Sequence, residues 1–191
     1  ERDERIGVNG LYGNLSFGYD KMVYVDAAIR RDVASTLPRD NNTYFYPSIV
    51  ANFIFSRVID TDVLSFGKVR VNYAEVGNMA RFDFIKDTYN IGTALNGGII
   101  SVNNTKNNAD LVPERTKSME AGIESVFLNK LFGFDLAFYK TNSVDQILPV
   151  RISEATGYRF KILNAGEIEN KGIELAINST PVQSSDLTWN V

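Results

Sequence analysis

The sequence predicts an all-β chain: antiparallel strands of an up-and-down transmembrane β-barrel, about eight of them drawn from a larger cylinder. Three observations carry this prediction. Apolar and polar residues alternate in one segment after another, each segment is about ten residues long, and short connections between segments alternate with long ones. Because successive side chains of a strand point to opposite sides, strict alternation marks a strand whose two faces meet different surroundings.

In the first segment Leu11, Leu15, Phe17 and Tyr19 share one face, and Tyr12, Asn14, Ser16 and Gly18 share the other. The second sets Val23, Val25, Ala27 and Ile29 against Tyr24, Asp26, Ala28 and Arg30. The third sets Ile49, Ala51, Phe53 and Phe55 against Ser48, Val50, Asn52 and Ile54, and the fourth sets Val69, Val71 and Tyr73 against Lys68, Arg70 and Asn72. In the fifth, Met119, Ala121, Ile123 and Phe127 oppose Ser118, Glu120, Gly122 and Glu124. In the sixth, Phe132, Phe134, Leu136 and Phe138 oppose Gly133, Asp135, Ala137 and Tyr139. A seventh sets Ile173, Leu175 and Ile177 against Gly172, Glu174 and Asn178, and an eighth begins near Trp189.

At roughly 3.3 Å per residue and a tilt near 40°, about ten residues cover an apolar band about 25 Å tall, the height of a membrane barrel's lipid face. The short connections are Asp20 with Lys21, Arg57 to Leu64, Leu128 to Lys130 and Ser179 to Asp186; the long ones are Asp32 to Pro47, Val76 to Glu114 and Thr141 to Glu169. Their regular alternation fits hairpins that turn tightly on one side of a membrane and loop out on the other. The Asn-rich run from Asn103 to Asn108 reads as loop, and Tyr19, Tyr24, Tyr73, Phe127, Phe132 and Tyr139 stand at strand ends, which fits either interfacial aromatic girdles or ordinary edge packing.

Composition removes most competing functions. The 191 residues are 44% hydrophobic and 23% charged, with 20 basic against 23 acidic residues, so neither disorder nor a polyanion partner is indicated. With no cysteine and no histidine, disulfides, thiolate nucleophiles, imidazole metal ligands and every Ser/His or Cys/His pair are excluded. No apolar run approaches the roughly 18 residues of a membrane-spanning helix. Residues 1 to 5 are charged and lack the apolar core of a signal peptide, so the sequence reads as an internal piece of an exported chain. The competing fold is a soluble β-sandwich serving as a binding or adhesion module, whose alternating strands would turn their apolar side into a core.

Arg70, Asn72, Glu120, Glu124, Asp135 and Glu174 share the polar faces, and a charge facing lipid at the midplane would cost about 2–4 kcal/mol, so these residues are expected to line the lumen. Glu120 and Glu124 are not read as a paired-carboxylate catalytic site, since alternation alone places both on one face, and no enzymatic activity is expected. Oxygens of Asp83, Asp87 and Asn90 do not follow a calcium-loop spacing, so no metal and no cofactor is expected. For solute contact the loop residues Phe82, Phe84, Tyr89, Asn103, Asn104 and Tyr158, with Arg81, combine flat apolar faces with hydrogen-bonding groups.

Several strings resemble the SusC/RagA-like family of TonB-dependent transporters, the nutrient-uptake barrels of Bacteroidetes. Arg30, Arg31 and Asp32 are similar to its Arg-Arg-Asp-Gly; Tyr46, Pro47 and Ser48 to its Tyr-Phe-Pro-Ser; and Lys68 to Tyr73 with Gly77 and Asn78 to a strand ending in Gly-Asn. More specific are Asn108, Asp110, Leu111, Pro113, Glu114, Thr116, Glu120 and Gly122, which resemble its Asn-Pro-Asp-Leu-Lys-Pro-Glu block. Asn164, Ala165, Gly166, Glu167, Ile168, Asn170, Lys171, Gly172, Ile173 and Glu174 resemble its Asn-x-Gly-x-x-x-Asn-Lys-Gly-x-Glu string. Val33 departs from the family's Gly, and Val112 from its common Lys.

The resemblance implies residues 1–191 of a roughly 22-stranded barrel in the cell outer membrane, without the plug domain, the coupling segment or the first and last strands. It also implies active import of an oligosaccharide or peptide, a SusD-like substrate-binding lipoprotein outside and the TonB complex inside. A passive porin-like barrel would share the same wall, and only an upstream plug and coupling segment separate the two.

Overall fold

The computed structural model describes residues 5–94 and 97–191. Strands follow one another as β1 (Val8–Tyr19), β2 (Val23–Ala34), β3 (Thr43–Phe53), β4 (Leu64–Asn78), β5 (Tyr89–Ala94), β6 (Gly97–Val102) and β7 (Thr105–Lys106). They continue as β8 (Glu114–Phe127), β9 (Phe132–Val144), β10 (Ile147–Arg151), β11 (Phe160–Asn164), β12 (Ile168–Ser179), β13 (Val182–Gln183) and β14 (Thr188–Trp189). The seven long ones form a single antiparallel sheet in the order β1-β2-β3-β4-β8-β9-β12. Each wall strand therefore pairs with the wall strand before it, the up-and-down order. The sheet is open, with β1 and β12 as its edges.

Register converts the alternation into continuous surfaces. One row runs Tyr19, Val23, Phe53, Val69, Ile123, Leu136, Leu175 across all seven strands, and the next runs Phe17, Val25, Ala51, Val71, Ala121, Phe138, Ile173. A one-residue slip at any strand would break both rows, because it would turn that strand's side chains to the opposite face. Nothing among the described residues covers this band: Leu15 is 72% exposed, Phe17 58% and Leu175 61%. A β-sandwich would cover it with a second sheet, so the sandwich expectation is overturned. An apolar face this extensive and uncovered fits the outer face of a barrel wall.

The tight connections depend on left-handed backbone. Asp20 and Lys21 both have positive φ (47° and 54°), and Met22 N donates to Tyr19 O at 2.9 Å, a tight turn within the three residues between Tyr19 and its partner Val23. Leu128, Asn129 and Lys130 are likewise at positive φ and close the β8–β9 turn. The third connection is less regular: β3 ends at Phe53, so Phe55 does not continue the strand and instead begins the short 3₁₀ turn Phe55–Arg57, its ring lying over Gly67.

All three long connections are shorter or more ordered than expected. β2 continues to Ala34 and β3 starts at Thr43, which confines the first loop to residues 35–42 and puts Pro47 inside a strand. Pro47 lacks an N–H for one neighbour, and the β3–β4 ladder begins at Ser48, one residue later. From there β3 and β4 part, and the Tyr46 ring fills the wedge against Gly77. The other long connections fold on each other. The β5–β6 hairpin and β7 arise within residues 79–113, the β10–β11 hairpin within residues 145–167, and β7 pairs with β11 in parallel. The run Asn103 to Asn108, read as loop, thus includes a strand.

The main buried cluster lies among these connections and the ends of β2 and β3 beside them. Ala34, Leu37, Tyr44, Ala80, Leu111 and Ile162 pack together, joined by Tyr46, Met79, Phe84, Ile85 and Ile147. At the other end, residues 188–189 pair with 182–183, and Val191 exchanges both backbone hydrogen bonds with Ser179 at 2.9 Å, continuing the ladder beside β12 where an eighth strand was expected.

Candidate functional site

Two regions collect the polar chemistry: the middle of the sheet's polar face and a cleft among the long connections. On the wall, the row Asn52, Arg70, Gly122, Ala137, Glu174 crosses five strands, with Asn72 opposite Glu120 in the neighbouring row. All six residues expected on the polar side, Arg70, Asn72, Glu120, Glu124, Asp135 and Glu174, lie on the face opposite the apolar band. Arg70 Nε donates to Glu120 Oε1 at 3.0 Å, and Arg70 Nη1 lies 2.8 Å from Asp135 Oδ1. Lys68 Nζ lies 2.7 Å from Glu124 Oε2.

Gly122 makes this arrangement possible, since a Cβ there would stand 2.7 Å from Arg70 Cζ. Each of the two acids weighed as a paired-carboxylate site has its own cation, Glu120 with Arg70 and Glu124 with Lys68. Glu174 is exposed and no cation reaches it within ion-pair distance among the described residues. Lys68 and Arg70 against Glu120, Glu124, Asp135 and Glu174 leave the patch with two more negative than positive charges. The pairs are about one-third exposed, so each contributes about 0–1 kcal/mol. What they provide is a mildly anionic wall, with the guanidinium held between Glu120 and Asp135.

Tyr24 and Tyr139 also turn to the polar face, their rings against Gly18 and Gly172 in the opposite register positions, and so do not join an outer aromatic girdle. Tyr19, Tyr73, Phe127 and Phe132 lie on the apolar side, with Phe127 between Phe132 and Phe134 at ring distances of 6.3 and 6.2 Å.

The cleft, of about 490 Å³, is lined by carboxamides and hydroxyls over an apolar floor of Phe84, Pro149 and Ile162. Phe84, Asn103 and Asn104 meet there with Asn90 and Asn107. Asn90 Nδ2 donates to Asn103 Oδ1 at 2.6 Å, and Asn103 Nδ2 donates to the Thr88 hydroxyl at 2.9 Å. Asn107 Nδ2 donates to the carbonyls of Asp83 and Lys86 at 2.7 and 2.6 Å, tying one side of the cleft to the other.

The remaining loop candidates are not among its lining residues. Arg81 pairs with Asp83 at 3.3 Å and stacks over Phe84 at 5.4 Å, next to Phe82. Tyr89 is exposed on the β5–β6 hairpin, and Tyr158 carries Lys106 over its ring at 5.7 Å. Asp83 and Asp87, weighed as metal ligands, are instead engaged by Arg81 and by the Asn107 backbone N–H.

Three further residues hold the cleft in shape and were seen in the sequence only as parts of family strings. Asn164 accepts from Val112 N at 3.0 Å and donates to the carbonyls of Val112 and Asp145 at 2.8 Å each. Glu114 accepts from Ile147 N at 2.8 Å and from Asn78 Nδ2 at 3.0 Å. Leu111 is fully buried.

This wall and its folded connections have counterparts among known proteins. The family model for the TonB dependent receptor-like β-barrel matches residues 2–191. TonB-dependent receptor P26 of Formosa agariphila is 27% identical over 95% of this chain and 19% of its own length. TonB-dependent receptor SusC of Bacteroides thetaiotaomicron is 25% identical over 94% of this chain and 19% of its own length. The chain thus spans about one fifth of the curated relatives it matches. In fold, the RagAB peptide importer in its open-open state matches with a TM-score of 0.84 at 20% identity, over 96% of this chain and 20% of that one. The siderophore receptor PirA from Pseudomonas aeruginosa matches with a TM-score of 0.62 at 17% identity, over 97% of this chain and 33% of that one. The chain belongs to the TonB-dependent receptor-like β-barrel family.

Proposed function

We propose that the whole protein is an active, TonB-energised importer of a nutrient, an oligopeptide or oligosaccharide, in the cell outer membrane, and that it catalyses no bond chemistry. The observation that carries this reading is the seven-stranded wall, apolar and uncovered on one face and polar on the other, in a chain matched by the TonB-dependent receptor family along residues 2–191. Residues 1–191 form part of a barrel of roughly 22 strands, whose plug domain lies elsewhere in the full-length chain. Likeness to SusC supports a SusD-like lipoprotein as the outer partner.

Within this reading, Phe84, Asn103 and Asn104 contact solute in the cleft, and Arg81, Phe82, Tyr89 and Tyr158 extend that contact across the outer loops. The wall residues Arg70, Asn72, Glu120, Glu124, Asp135 and Glu174 face the lumen and its water. Carboxamides over an apolar floor suit a ligand rich in neutral hydrogen-bonding groups, as both peptides and sugars are.

Uptake of labelled oligopeptide and oligosaccharide pools by cells carrying the full-length protein tests the reading. Accumulation of one pool is expected to require TonB and to fall several-fold in Asn90→Ala/Asn103→Ala, with the variant at normal outer-membrane level. Equal uptake with and without TonB would instead favour a passive porin-like barrel.

A further inference from the structure

The lipid-side face does not stay apolar up to the loops. The row Leu15, Ala27, Ile49, Tyr73, Met119 continues onto β9 and β12 as Lys140 and Lys171, which stand directly opposite one another. Like charges in directly opposed positions repel, and Glu169, reaching Lys140 at 2.8 Å and Lys171 at 3.0 Å, neutralises only one of the two. One row nearer the loops, Lys117 stands opposite Asn142 on the same face, exposed and with no acid within ion-pair distance among the described residues.

Two other acids lie nearby. Glu75, directly opposite Lys117 on β4, meets Arg115 at 3.9 Å and the Tyr73 hydroxyl, and Glu167 accepts from the neutral Asn142 Nδ2 at 2.8 Å and keeps its charge. Arg115, Lys117, Lys140 and Lys171 against Glu75, Glu167 and Glu169 therefore leave one positive charge in excess at the edge of the apolar band, where long cationic side chains extend to headgroup level.

We propose that Lys117, Lys140 and Lys171 together hold the phosphate of an anionic lipid headgroup seated beside β8, β9 and β12. The inference rests on the membrane-barrel reading of the wall. Charge complementarity selects the ligand: a phosphate supplies the anion that Lys117 lacks within ion-pair distance, and its acyl chains continue onto Met119, Phe138 and Ile173 along the same face. A protein partner would have to match the apolar band as well, and the band is already the lipid contact.

The test uses the full-length protein in nanodiscs of phosphatidylcholine doped with phosphatidic acid, with retained lipid counted by native mass spectrometry. Wild type is expected to retain phosphatidic acid in several-fold preference to phosphatidylcholine, and Lys117→Gln/Lys140→Gln/Lys171→Gln to lose that preference. The control Lys21→Gln/Arg57→Gln/Lys130→Gln, which removes the same charge at the other end of the wall, is expected to keep it. Added inorganic phosphate should leave the bound lipid in place, because the acyl chains contribute to binding; displacement by phosphate would point to a free-anion site and overturn the lipid assignment. Equal preference in the two triple variants, or none in wild type, would also overturn it. Spin labels at Val25, Phe134 and Leu175 separate the two levels: if they contact a lipid-soluble quencher while the lysine variant still prefers phosphatidic acid, this inference fails and the barrel reading stands.

Discussion

Single side chains on this wall are held by the absence of others. Gly122 has no Cβ where one would stand 2.7 Å from the Arg70 guanidinium carbon, and Gly172 gives the same room to the Tyr139 ring, whose hydroxyl would meet a Cβ at 2.6 Å. Gly122→Val should push Arg70 away from Glu120 and Asp135 and cost about 1–3 kcal/mol through overpacking, read as a lower temperature for loss of the heat-modifiable folded band on gels of the full-length protein. An unchanged transition would mean that the guanidinium has another stable position. Asn164 represents the opposite case, one side chain with three hydrogen bonds into two connections. Asn164→Ala should leave two carbonyls and an N–H unmatched, costing about 1–3 kcal/mol locally, and should speed protease cleavage within residues 79–113 and 145–167 without releasing the barrel from the membrane. Cleavage at the wild-type rate would argue against this clamp.

At the level of elements, the pairing of opposite faces makes the clearest prediction. Labels at Val25, Phe134 and Leu175 should be quenched by a lipid-soluble reagent, and labels at Asp26, Asp135 and Glu174 by a water-soluble one; the reverse pattern would invert the wall. The strands were legible in the sequence because period-two alternation is imposed by the backbone and by two contrasting solvents, as in Phe132 to Phe138 against Gly133 to Tyr139. Boundaries were less legible. Pro47 reads as a strand breaker, yet it is tolerated because β3 needs only one neighbour at that position, a fact of β4's path that no local pattern contains. The loop architecture was hidden for a related reason: two-residue β7 gains its pairing from β11, more than fifty residues away, and Asn90, Asn103 and Asn107 have turn-forming composition whatever they bond to. Asn164 and Glu114 stood out as members of family strings, but their roles depend on partners in other connections.

At the scale of the molecule, the described chain is an open sheet whose two edge strands carry unpaired backbone and whose apolar face is uncovered. Produced alone in plain buffer, residues 1–191 should aggregate, since free edges and a bare apolar face both recruit other chains. A monodisperse monomer with a sharp cooperative melt, seen by light scattering and calorimetry, would contradict a lipid-facing band. The core among the connections has a different consequence. Leu37 from residues 35–42, Leu111 from residues 79–113 and Ile162 from residues 145–167 occupy one cluster, so none of the three segments can lift away without exposing the apolar surface of the other two. Their opening is therefore one event with one free energy. Amide hydrogens of Leu111 and Ile162 should exchange at a common rate, and a ligand that orders the cleft should slow exchange in all three segments together, making the mouth of the barrel a single cooperative unit.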